Sequence, residues 1–172
     1  MYESFDQFYP DKCCQGDQPT CACACPFHLE VRDFIGKYRR GSIDAAVKTY
    51  RNAVVFPRIV AELCSHPCMD HCTRGGIDDA IDLLELERAA VKYARSLDPI
   101  NFNVPVKDKK IAVIGAGISG LACAFKLAAK KCQVTVFEKT DRIGGKLWEL
   151  MDSEVFLADI ATQGKYLSYE TV

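Results

Sequence analysis

The stretch "KKIAVIGAGISGLACAFKLAAKKCQVTVFEK", residues 109–139, decides the fold of the second half of the chain. "KKIAVIG" is a short apolar run closed by glycine. "CQVTVFEK" is a second run, rich in β-branched residues. Between them "ISGLACAFKLAAKK" has the length and composition of a helix. A strand, a helix and a strand in this order make a β-α-β unit, the start of a parallel sheet.

The turn between the first strand and the helix is "GAGISG", with Gly115, Gly117 and Gly120 in the pattern G-x-G-x-x-G. The pattern is weak alone. Here a strand precedes it, a helix follows it, and an acid, Glu138, ends the second strand 18 residues beyond Gly120. Gly115 permits a tight turn, Gly117 lets the backbone approach a pyrophosphate, and Gly120 lets helix and strand pack closely. The helix N-terminus supplies free N–H groups and partial positive charge. Glu138 can accept hydrogen bonds from ribose hydroxyls and would repel a 2′-phosphate, which argues for FAD or NAD over NADP. The plain alternative is a glycine turn followed by a solvent-facing acid.

Outward from this unit, the bulk properties exclude several classes. Lys plus Arg is 22 and Asp plus Glu is 23, a net charge of −1, so nothing points to nucleic acid or an anionic membrane. The N-terminus "MYESFDQFYP" has neither a basic start nor an apolar core, so no secretory signal is read. The longest uncharged apolar run, residues 111–125, is glycine-rich and too short for an easy membrane span. The expected location is the cytoplasm, where disulfides are rare. Ten cysteines there need another use, and metal binding leads.

The cysteines are asymmetric, with eight in the first 72 residues and only Cys123 and Cys132 later. Two units are therefore expected, 1–105 and 106–172, joined through "SLDPINFNVPVKDKK". The first reads as all-helical. "HLEVRDFIGKYRRG" is a helix closed by Gly41, "SIDAAVKTYRNA" a helix with Ser42 as N-cap, and "PRIVAELC" a short helix opened by Pro57. Pro67 disfavours helix at His66, so "CSHPCMDHC" reads as a turn-rich loop. "IDDAIDLLELERAAVKYARSL" reads as one long helix with Ile77, Ala80, Ile81, Leu84 and Val91 on its apolar face. Glu87 falls at the edge of that face and Arg88 near its centre.

Zinc needs four ligands, typically from two C-x₂₋₄-C pairs, and eight cysteines with His66 and His71 could build one or two such sites. Eight is also the number that two [4Fe–4S] clusters would take. Counting does not separate the metals. The dinucleotide site favours clusters, because zinc is redox-inert whereas a flavin and clusters form an electron chain.

Several segments carry a family resemblance: "CACACP", "LCSHPCMDHC", "IDDAIDLLELERAA" and "IAVIGAGISGLACA…FEKTDRIGG". Together they resemble, from residue 13 onward, the N-terminal region of the bacterial glutamate synthase small subunit and of dihydropyrimidine dehydrogenase. The resemblance implies an all-helical domain with two [4Fe–4S] clusters, then the first β-α-β part of a Rossmann-like FAD domain. An NAD(P)H domain would come later. "EKTDRIGGKL" is also similar to the segment after the second strand in two-dinucleotide-domain flavoproteins. That likeness implies cofactor contacts from Lys139, Arg142, Gly144 and Gly145 beside Gly115, Gly117, Gly120 and Glu138. Arg142 as a solvated turn residue is the alternative.

The family's first cysteine motif is C-x₂-C-x₄-C-x₃-C-P. Anchored on Cys25 and Pro26, it places Cys13 and Cys21, while Gly16 stands where a cysteine is expected. Cys14 or Cys23 is the candidate substitute. The second motif, C-x₃-C-x₃-C, is matched by Cys64, Cys68 and Cys72. The crossed ligand sets of the family imply one cluster on Cys13, Cys21 and Cys72 with Cys14 or Cys23. The other falls on Cys25, Cys64 and Cys68, with Glu87 at the position of a side-chain oxygen ligand. An ion pair of Glu87 with Arg88 or a neighbour is the competing reading. Cys123 and Cys132 read as packed or exposed thiols, and His66 and His71 as flanking groups rather than ligands.

From residue 110 on, 63 residues supply two strands and one further helix in "EVFLADIATQGKYL". Two strands seldom stand alone, so the chain is expected to be one piece of a larger protein and inactive by itself. The resulting expectation is the electron-transfer part of an NAD(P)H-dependent flavoprotein oxidoreductase. Its clusters would serve a partner subunit or the remainder of the same polypeptide. A zinc-stabilised nucleotide-binding module and a helical partner-docking domain are the competitors.

Overall fold

A computed structural model describes residues 19–99 and 103–164. Cys13, Cys14 and Gly16, and the end of the last expected helix, lie outside the described residues. The described chain is mostly helical with one two-stranded parallel sheet. It divides into two compact units. The first holds the described residues up to Ala53 together with Cys64–Arg95. The second holds Val54–Leu63 and the described residues from Ser96 on.

The first unit contains α1 (Thr20–Ala24), α2 (Val31–Arg39), α3 (Ile43–Ala53), α5 (Pro67–Asp70), a 3₁₀ turn (Thr73–Gly76) and α6 (Leu83–Tyr93). Gly41, at φ +72°, closes α2 as expected. The Gly41 N–H bonds the Tyr38 carbonyl at 2.8 Å and the Ser42 N–H bonds the Lys37 carbonyl at 3.0 Å, a Schellman end. α3 packs on both α2 and α6. Phe34, Ala46, Val47, Tyr50, Leu83 and Ala90 are buried. The Phe34 and Tyr50 rings lie 6.0 Å apart.

Two expectations change here. "CSHPCMDHC" is not all loop, since Pro67 starts α5 at its first helical position, where its fixed φ and missing N–H suit a helix. His66 leaves the right-handed helical region, as a residue before proline tends to, and adopts a left-handed conformation at φ +53°. The expected long helix is shorter. Residues 77–82 are not helical, and Asp82 caps α6 by accepting from the Glu85 N–H at 3.0 Å. Ile77 is exposed. The buried face of α6 is Leu83, Glu87 and Ala90. Glu87 therefore sits at the centre of that face, and Arg88 turns away to pair with Glu85 at 3.0 Å.

The second unit contains α4 (Pro57–Leu63), β1 (Lys110–Ile114), α7 (Ile118–Ala129), β2 (Gln133–Phe137), α8 (Leu147–Leu150) and α9 (Ser153–Gln163). β1 and β2 are parallel, in register from Lys110 opposite Gln133 to Ile114 opposite Phe137. Phe56, Ile59, Val113, Leu121, Phe125, Val134, Phe156 and Ile160 share one core. Pro57 opens α4 as expected. α4 packs on α9 and so belongs to this unit, although its residues lie among those of the first in sequence. No helix among the described residues is long and apolar enough to cross a membrane.

The join between α4 and α9 is Asp159, which has no exposed surface. Its Oδ2 accepts the backbone N–H groups of Arg58 at 2.9 Å and Ile59 at 3.1 Å, capping α4 from another helix. Its Oδ1 faces Arg58 Nη1 at 3.6 Å, and neither of these buried atoms makes a hydrogen bond. Burial pushes the carboxyl up to about 6, against the pull of the Ile59 N–H and Arg58. The folded chain then holds a proton that the unfolded chain has already released, and that proton favours folding. The Asp159 contribution is full at low pH and falls as pH rises from about 4 through about 6. The loss is about 3 kcal/mol, at roughly 1.4 kcal/mol per pKa unit. Trp148 is the sole tryptophan and packs in this unit, so its fluorescence reports urea unfolding. The stability difference between the wild type and Asp159→Asn should shrink across that pH window. A constant difference would exclude the ionised carboxylate as its source.

Candidate functional site

The glycine turn lies at the end of β1. Gly115 donates to the Phe137 carbonyl at 2.7 Å, tying the turn to the end of β2. Gly117 is the residue before α7, and its carbonyl accepts from Leu121 at 2.9 Å. A Cβ at Gly120 would fall on the Gly115 carbonyl, so helix and turn meet in direct backbone contact. A Cβ at Gly117 would meet nothing, which leaves an open approach to the first turn of α7, where N–H groups have no helical partner.

Glu138 reaches back to this turn. Its Oε2 accepts the Ala116 N–H at 2.6 Å, and its Oε1 accepts from the Thr140 N–H at 3.1 Å and hydroxyl at 3.0 Å. The Ala116 bond above all, then the Thr140 bonds, hold its carboxyl below the usual range, so it is ionised at neutral pH. The Gly144–Gly145 pair closes over the same turn. The Gly144 N–H bonds the Ala116 carbonyl at 2.8 Å, and Gly144 bridges Gly117 in parallel fashion. Gly144 has φ +104°, and a Cβ there would lie 2.9 Å from the Phe156 ring. Gly115, Gly117, Gly120, Glu138, Gly144 and Gly145 thus converge. Arg142 stacks its guanidinium 5.0 Å from the centre of the Trp148 ring, and Lys139 is exposed. The set has what a pyrophosphate and a ribose need: an open helix start, close backbone and an ionised acid.

The cysteines lie in the first unit. α1 carries Cys21 and Cys23, and Thr20 at its start donates its hydroxyl to the His71 carbonyl at 2.7 Å, joining α1 to the end of α5. Cys25 and Cys68 are buried, Cys21, Cys64 and Cys72 are half-buried, and Cys23 is exposed. Burial pushes the Cys68 thiol up to about 12, and charge on Cys25, Glu87 and Cys64 adds to the effect. Burial also raises the Cys64 thiol, with the backbone N–H of His66 opposing and Glu87 and Cys25 adding. Cys25, Cys64, Cys68 and Glu87 are therefore electrostatic neighbours. Such a group of would-be anions is stable as anions only beside a cation, which is the donor chemistry an iron–sulfur cluster requires. No three His, Cys, Asp or Glu side chains are arranged to hold a single metal ion among the described residues.

Glu87 itself is 5% exposed. Its Oε2 accepts the Tyr50 hydroxyl at 3.0 Å and meets His66 Nε2 at 3.3 Å. Burial raises its carboxyl, with the nearby imidazole pulling the other way. The expected pairing with Arg88 is replaced by this contact across the unit. His66 Nδ1 faces the Cys64 carbonyl at 2.7 Å, an acceptor only, so that nitrogen carries a proton. His66 is thus a buried link between Cys64 and Glu87. His71 is exposed and bonds the Pro67 carbonyl at 2.9 Å. Tyr50 and Thr140 had no signal in the linear sequence.

Comparison with known proteins places these features. A family described as dihydropyrimidine dehydrogenase domain II, 4Fe-4S cluster, matches residues 7–98, over half of the chain. The chain belongs to this family. A second family, the NAD(P)-binding Rossmann-like domain, matches residues 113–159, which include the glycine turn and Glu138. The dihydropyrimidine dehydrogenase domain II family thus accounts for the cysteine-bearing helices, and the Rossmann-like family for the β-α-β unit. The NADPH-Fe(3+) oxidoreductase subunit beta of Geobacter sulfurreducens is 32% identical over 126 residues, 71% of this chain and 19% of its own length. The glutamate synthase (NADPH) small chain of Mycobacterium tuberculosis is 30% identical over 153 residues, 86% of this chain and 31% of its own length. The NADP(+)-dependent formate dehydrogenase subunit beta of Moorella thermoacetica is 28% identical over 150 residues, 74% of this chain and 21% of its own length. The chain spans roughly a fifth to a third of these relatives.

Proposed function

We propose that this chain is the electron-transfer part of a cytoplasmic, NAD(P)H-dependent, FAD-containing iron–sulfur oxidoreductase. It passes electrons between a flavin and a partner subunit or the remainder of its own polypeptide. The observation that carries the reading is the buried neighbourhood of Cys25, Cys64, Cys68 and Glu87, in a unit of a 4Fe-4S family and followed by a Rossmann-like glycine turn.

In this reading Cys25, Cys64, Cys68 and Glu87 hold one [4Fe–4S] cluster. Cys13, Cys21 and Cys72, with Cys14 or Cys23, hold the other. The cluster domain spans 1–105 and the nucleotide domain 106–172. The turn at Gly115, Gly117 and Gly120 receives the FAD pyrophosphate at the start of α7. Glu138, ionised and anchored by Ala116 and Thr140, faces the ribose hydroxyls, and Gly144 and Gly145 let the chain pass close to them. Arg142 and Lys139 supply positive charge at the rim. FAD, when bound, takes two electrons from a hydride donor and passes them on singly. Ile114, at the end of β1, is 82% exposed, which supports further strands completing the sheet in the whole protein.

The test is iron, acid-labile sulfide, zinc and flavin analysis of the full-length protein purified without oxygen. About eight irons with matching sulfide, at four per cluster, and one FAD are expected. Stoichiometric zinc without iron would overturn the reading.

A further inference from the structure

The Tyr50–Glu87–His66 group is lopsided. Both hydrogen bonds to Glu87 fall on one oxygen, Oε2: the Tyr50 hydroxyl at 3.0 Å and His66 Nε2 at 3.3 Å. The other oxygen, Oε1, accepts none among the described residues, although Glu87 is 5% exposed. A buried carboxylate oxygen without a donor is unfavourable unless something positive meets it.

Both donors are themselves held. The Tyr50 ring is 1% exposed and packed beside Phe34. His66 donates through Nδ1 to the Cys64 carbonyl at 2.7 Å, and its backbone N–H points at Cys64 Sγ at 3.4 Å. It does so in a left-handed conformation, φ +53° and ψ +51°, that a non-glycine residue adopts only when its surroundings impose it. The same residue thus spaces Cys64 and Glu87.

We propose that Tyr50 and His66 are positioning residues: they grip Glu87 by Oε2 and so present Oε1, beside Cys64 and Cys68, as a single-oxygen ligand. This rests on the reading of Glu87 as the fourth ligand of the Cys25–Cys64–Cys68 cluster. A merely structural hydrogen-bond network would fill both carboxylate oxygens where it could. This one concentrates on the oxygen that a metal ion would not use.

The test uses the full-length protein, purified anaerobically and reduced, with electron paramagnetic resonance and redox titration as readouts. Tyr50→Phe keeps the ring and removes only the hydroxyl. His66→Gly keeps access to the left-handed backbone and removes the ring. Glu87→Ala should alter the signal of one cluster and spare the other. Tyr50→Phe and His66→Gly should each shift the g values and midpoint potential of that same signal. If Glu87→Ala alters the signal while both other variants match the wild type, the positioning role is wrong and Glu87 remains a ligand. If Glu87→Ala changes neither signal, the ligand reading fails, and the positioning role with it. A network serving only stability would lower the unfolding temperature of Tyr50→Phe and leave its spectrum unmoved.

Discussion

Cys68→Ala in the full-length protein is expected to bring the iron content from about eight atoms per chain to about four, at four per cluster. Cys68 is 5% exposed, and burial with three anionic neighbours pushes its thiol up to about 12. A group in that position is a thiolate only if a cation makes it one. Removing it leaves Cys25, Cys64 and the Glu87 carboxylate, too few to hold a cluster of this type. The half-buried Cys21 and Cys72 belong to the other proposed set, so its iron and spectrum should persist. Iron and labile-sulfide assays alongside electron paramagnetic resonance check both halves. A Cys68→Ala protein that keeps all its iron would remove Cys68 from the ligands. A Cys21→Ala protein that loses the same signal as Cys68→Ala would redraw the two sets.

Gly120→Ala should be disproportionately damaging for the addition of one methyl group. The new Cβ would lie on the Gly115 carbonyl, and the neighbouring atom is backbone rather than a flexible side-chain end. Gly115 cannot easily move away, because its N–H is bonded to the Phe137 carbonyl at 2.7 Å. α7 must then shift off the turn, which breaks its packing on β1 and β2. A loss of about 3 kcal/mol is expected, the upper end for overpacking. Urea unfolding followed at Trp148 should show an earlier midpoint, and flavin per chain should fall in the full-length protein. A wild-type midpoint would show that helix and turn are not in the close contact described.

The β-α-β unit was legible because its signals are local. Glycine spacing, the β-branched strands and Glu138 all fall within 24 residues of one another, from Gly115 to Glu138. The cysteine motifs were legible as spacing, but no spacing says which thiols are buried together. The start of α6 was misread because Ile77, Ala80 and Ile81 continue the helical period while lying outside the helix. "DLLE" at residues 82–85, an acid three residues before a glutamate, was the overlooked start signal. Glu87 meets Tyr50 across 37 residues and His66 across 21, and no periodicity in a linear pattern encodes such a meeting. Asp159 read as an ordinary acid on a helix, because its partners on α4 are 100 and 101 residues away.

That last separation has a consequence for synthesis. At roughly 5–20 residues per second on the ribosome, α4 emerges about 5–20 s before the Asp159 that caps it. During that interval Phe56 and Ile59 have no β1, α7 or α9 to cover them. A nascent chain paused before α9 would expose this apolar helix next to Cys64, which makes it the segment a chaperone or an iron-loading factor would meet first.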